Sequence, residues 1–121
     1  MDNAILKAYG ETVVGGAAGT NTGSTYTVDI STGNIFNLIL NANCTFTFSN
    51  PTASGTACSF RLVLKQDATG SRLATWPASV AWPSNTTVTL STLPASFDVI
   101  EFLTLDGGTT YFGIPAGFAY T

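Results

Sequence analysis

From Thr25 onward, apolar and polar positions alternate with a period of two. Tyr26, Val28 and Ile30 alternate with Thr25, Thr27 and Asp29, and after a turn at residues 31–34 Phe36, Leu38 and Leu40 mark a second strand. Cys44, Phe46 and Phe48 alternate with Thr45, Thr47 and Ser49. Beyond a turn at 50–55, Cys58, Phe60, Leu62 and Leu64 alternate with Ser59, Arg61, Val63 and Lys65. Shorter strands near 73–76, 80–82 and 87–90 are broken by Pro77 and Pro83. Residues 97–105 read as a long strand, and Asp106-Gly107-Gly108 as a hairpin turn into residues 110–114. Alternation punctuated by turn signals about every 8–12 residues predicts an all-β fold, an antiparallel sandwich or barrel; the reading adopted is an antiparallel β-sandwich, jelly-roll-like. No window carries a sustained helical stripe, and 20 threonines add β-branched preference for strands.

The first 24 residues break this pattern. Residues 10–24 hold five glycines among mostly small side chains, which cost backbone entropy and offer little to pack. The chain therefore divides into an extended N-terminal arm, 1–24, and a β-sandwich domain, 25–121. Ile5, Leu6, Tyr9, Val13 and Val14 give the arm apolar points with which to grip a neighbour; fraying of a free terminus is the alternative.

Two strands carry apolar residues on both faces. Ile35 and Ile39 lie opposite Phe36, Leu38 and Leu40, and Ile100 and Phe102 lie opposite Val99 and Leu103. A sandwich strand normally leaves one face to water, so these strands need a second cover. Ile35, Ile39, Ile100 and Phe102 are assigned to a subunit interface, with a loop of the same chain as the other possible cover.

Charge narrows the partners. The 121 residues are 9% charged, with net charge −3 and four basic residues, Lys7, Arg61, Lys65 and Arg72. A typical domain is about 25% charged. Four scattered cations cannot neutralise a run of phosphates or hold an anionic bilayer, so neither nucleic acid nor membrane is an expected partner. No apolar run reaches the roughly 18 residues of a spanning helix, and residues 1–10 lack the apolar core of a secretory signal.

Candidate chemistry is thin. Histidine is absent, which removes the commonest general base and metal ligand together. Asp98 and Glu101 stand an odd number of positions apart on one strand and so point to opposite faces. Asp67-Ala68-Thr69-Gly70 and Asp106-Gly107-Gly108 are turn sequences. The chain is expected to be neither an enzyme nor a carrier of a cofactor or metal. Cys44 and Cys58 flank Pro51 evenly, so a hairpin there would bring them together; a disulfide and two reduced core thiols are both open, the thiols favoured. Trp76-Pro77 and Trp82-Pro83 fit core packing and, alternatively, a platform for stacking on sugar rings.

Several segments resemble the β-domains of tailed-bacteriophage virion proteins. They are Val28-Asp29-Ile30-Ser31-Thr32-Gly33-Asn34, Phe46-Thr47-Phe48-Ser49-Asn50-Pro51 and Leu62-Val63-Leu64-Lys65-Gln66-Asp67. The Trp-Pro…Trp-Pro stretch at 75–83 and Asp106-Gly107-Gly108-Thr109-Thr110-Tyr111 extend the resemblance over about residues 25–121. Such domains occur on tail fibres and on capsid decoration (cement) proteins, which assemble as trimers and are not known for catalysis. A short chain starting at Met1 with only an arm before the domain favours the decoration role. What the resemblance implies is a homotrimer on the outside of a phage head, bound to the major capsid protein, with assembly in the host cytoplasm. There it would tie capsomers together by apolar burial worth about 25 cal/mol per Å² and by the avidity of three copies. The second reading is a tail-fibre or receptor-binding module that recognises a host-surface glycan through Trp76, Trp82 or Tyr111.

Overall fold

The computed structural model describes residues 10–121. Among these residues ten strands form two sheets packed face to face. The first is seven-stranded: β1 (Val13–Val14), β4 (Ile35–Leu40), β6 (Cys58–Gln66), β9 (Phe97–Thr104), β10 (Tyr111–Tyr120) and β8 (Val80–Ala81) in that order, with β2 (Thr20–Asn21) also paired to β4. The second sheet holds β3 (Thr25–Asp29), β5 (Cys44–Ser49) and β7 (Ala74–Thr75). Among the described residues the helical segments are two short 3₁₀ turns, Ile30–Thr32 and Pro83–Asn85.

The all-β reading holds, but the strand directions are mixed. From β2 to β7 the chain crosses between the sheets at every corner, so β3, β5 and β7 stack in parallel, as do β2, β4 and β6. Among the described strands only β6, β9 and β10 pair antiparallel. The turn at 50–55 is thus a corner between sheets, and the expected hairpin of the third and fourth strands does not form. The physical reason lies in the turns. Two-residue hairpins need Asn-Gly, Asp-Gly or a similar pair with positive φ. Asp106-Gly107-Gly108 supplies such a pair, with φ of 69° and 86° at the glycines, within the six-residue connection 105–110 that joins β9 to β10. The corners between the sheets at 22–24, 30–34, 41–43 and 50–57 hold no two consecutive residues at positive φ, and their polar side chains stitch one corner to the next. Asp29 Oδ1 accepts from Asn50 Nδ2 at 3.0 Å. Asn41 Oδ1 accepts from the Gly23 amide, and Asn43 Oδ1 from that of Leu73, both at 2.9 Å.

The core lies between the sheets. Phe36, Leu38 and Leu40 of β4, Phe60, Leu62 and Leu64 of β6 and Ile100 and Phe102 of β9 meet Val28, Cys44 and Phe46 of the second sheet. Phe48 reaches across edge-on to Phe60, Phe102 and Tyr111, with ring centroids 4.9–5.1 Å apart. Such edge-to-face contacts add to the burial energy of the rings. Gln66, buried at the end of β6, is fully used: its amide donates to the carbonyls of Arg72 and Ser91 and accepts from the Arg72 amide. Unpaired, those buried groups would each cost about 1–3 kcal/mol.

The described part of the segment 1–24 lies on the sandwich. β1 and β2 pair with β4, Asn37 Nδ2 donates to the Gly16 carbonyl at 2.9 Å, and Gly19 rests against the Ile39 side chain. Small residues here serve close contact with β4, which composition alone reads as freedom.

Candidate functional site

The outer face of the large sheet is the first candidate. Alternation along β4, β6 and β9 puts Ile35, Ile39, Val63, Phe97, Val99 and Leu103 outward, and Phe112 and Ile114 of β10 continue the face at 46% and 40% exposure. Its charges are compensated locally. Arg61 and Glu101 stand opposite each other in the register, 3.7 Å apart, and the Lys65 ammonium lies 5.3 Å from the centre of the Phe97 ring. Beyond its short pairing with β8 at Tyr111 and Phe112, β10 is an edge, and Phe118 and Tyr120 on it are 43% and 53% exposed. Exposed apolar side chains on an unpaired strand edge mark a surface prone to pairing with another chain.

The residues assigned to an interface from the sequence divide. Ile35 and Ile39 are outward and half-buried, Ile39 partly under the 15–19 loop, so a loop of the same chain supplies some of the expected cover. Ile100 and Phe102 are a correction: both are wholly enclosed at 0% exposure within one chain and have no surface to offer. The phase of β9 is the reverse of the one assumed, and Glu101, outward between them, was the available signal. Asp98, two positions before Ile100, is nonetheless inward, because its carboxylate accepts from the Ser91 amide at 2.7 Å and the Ala119 amide at 2.9 Å. Val13 is exposed on β1, and Val14 packs against the core. Ile5, Leu6 and Tyr9 lie outside the described residues.

Cys44 and Cys58 are free thiols on different sheets, Cys44 beside Ala74 and Cys58 beside Thr104. Burial pushes the Cys44 thiol up from its ordinary pKa, which keeps it protonated and inert. Among the described residues no group of three or more His, Cys, Asp or Glu side chains is placed to hold a metal ion.

The second candidate is a groove of about 400 Å³ at the open edge of the sandwich, between β7 and β8. Trp76 and Trp82 line it, half-buried, together with Thr75, Asn85 and Thr87. Trp76 stacks on Phe46 at 5.0 Å, and Trp82 packs so closely on Gly113 that a Cβ there would overlap its ring. The tryptophans thus serve the core and the surface at once. Tyr111, the third residue suggested for sugar stacking, is 3% exposed and unavailable.

Residues 18–110 match the family model described as "Putative phage tail fibre C-terminal domain". No curated protein and no solved structure matches the chain.

Proposed function

The chain belongs to that family of phage tail fibre C-terminal domains, and from this premise we propose that it is a non-catalytic module of a tail fibre, assembled with copies of itself as a homotrimer. Membership puts it among phage structural proteins. The family match carries the reading, and it favours the fibre over the capsid exterior. The structure supplies a physical means. The outer face of the large sheet is apolar, its charged groups find partners on the face itself, and it runs out to the bare edge of β10. Identical copies could cover that face by burying it at about 25 cal/mol per Å², and closed symmetry would leave no copy uncovered.

Gold labelling of an affinity tag on this chain in intact virions tests the location. Label on the tail is the expected result. Label spread over the head would overturn the fibre reading and restore a decoration role bound to the major capsid protein.

A further inference from the structure

We propose that the groove between β7 and β8 is a binding site for a neutral saccharide. Its chemistry selects the ligand class. No lining residue is ionisable, so nothing there would attract a phosphate, a carboxylate or a cation. What the groove offers is the exposed parts of two half-buried indoles and, beside them, the hydroxyls of Thr75 and Thr87 and the amide of Asn85. A sugar ring presents the same pair of features in reverse: a face of C–H groups and a rim of uncharged hydroxyls. The volume of about 400 Å³ falls within the ~300–1,000 Å³ of small-ligand sites.

The groove is also held in shape before any ligand arrives. Trp82 is pinned on Gly113 and Trp76 on Phe46, and the two indoles meet edge to face at 5.6 Å. Ser84 and Asn85 are held consecutively at φ of 53° and 54°. Left-handed backbone in non-glycine residues is uncommon and concentrates at ligand sites. Trp76 Nε1–H is itself enclosed, with no acceptor among the described residues. Rigid aromatic walls reduce the ordering cost of binding.

The neighbouring sheet extends the site. Thr25, Thr45 and Thr75 stand in register across β3, β5 and β7, and all three are exposed. At the ~4.8 Å spacing of adjacent strands they form a row of hydroxyls, at regular intervals, that ends at the groove. This favours an oligosaccharide, with one unit in the groove against the tryptophans and the next along the row.

The inference goes beyond the fibre reading and stands on the groove alone, so virion labelling and sugar binding can fail separately. The test is titration of the intact protein, followed by tryptophan emission and calorimetry. The probes are hexamers of glucose, mannose, galactose and N-acetylglucosamine, with sialyllactose and a polyphosphate as charged controls. At least one neutral hexamer is expected to bind and shift the emission, and the charged controls are not. Asn85→Gly keeps the left-handed backbone, and Thr87→Val keeps the side-chain shape. Each is expected to weaken binding about tenfold, the loss of one good hydrogen bond, with an unchanged circular dichroism spectrum. Silence from all four neutral hexamers at millimolar concentration, equal binding of a charged control, or undiminished binding by both variants would overturn the proposal.

Discussion

At the scale of single residues, Asp29, Asp67 and Asp106 hold turns together. Asp67 accepts from the amides of Thr69 and Gly70 at 3.1 and 3.0 Å and from the Arg72 guanidinium at 2.8 Å. The Arg72 side chain, foremost, holds the Asp67 carboxyl below its ordinary pKa. The side chains of Ser31 and Asn50 do the same for Asp29, and the Thr110 amide does so for Asp106. A carboxyl whose pKa is lower in the folded than in the unfolded chain stabilises the fold fully above its unfolded value. That contribution is lost as pH falls through the folded value. With no histidine to titrate between pH 5 and 8, the melting temperature should be flat there and fall below about pH 4. Thermal melts from pH 7 to pH 2.5 check this. Asp67→Asn should melt lower than the parent at pH 7 and lose less on acidification; a parallel acid curve would remove Asp67 from the account.

At the scale of elements, burial was legible and direction was not. Alternation identified the inward residues of β4, β5 and β6 because a period of two is the same whether a neighbour runs parallel or antiparallel. Only the turn tells them apart, and only Asp106-Gly107-Gly108 carried a hairpin signal strong enough to use. Phase failed on β9 because Asp98, an acid, is buried by two backbone amides that come from residues 91 and 119, contacts no local pattern reveals. The tryptophan groove was half legible: Trp76 and Trp82 stood out as core or platform, whereas Asn85 and Thr87 join them only through the Pro83–Asn85 turn. Gly113 was not singled out at all, since its role is to let Trp82 lie on the β10 backbone. Gly113→Ala should therefore cost about 1–3 kcal/mol by overpacking and shift tryptophan emission to the red. Urea unfolding followed by fluorescence measures both, and an unchanged midpoint and emission would show that Trp82 is not seated there.

At the scale of the whole molecule, the two outer faces contrast. The small sheet shows water a set of threonines: Thr25, Thr27, Thr45, Thr47 and Thr75 are all exposed, and Thr27 and Thr47 bond to each other at 2.9 Å. β-branching suits the strand and the hydroxyl suits water, so this face needs no cover. The large sheet shows isoleucine, valine, leucine and phenylalanine instead. That asymmetry is the physical basis of the proposed self-association, and the mass of the intact protein in solution tests it most directly. Sedimentation equilibrium at micromolar concentration should give three times the 12.6 kDa chain mass, and Ile114→Asp, a charge set on the exposed β10 face, should reduce it to one chain with its circular dichroism unchanged. A parent protein that sediments as a single 12.6 kDa chain, or an Ile114→Asp variant that keeps the full assembly, would contradict the account.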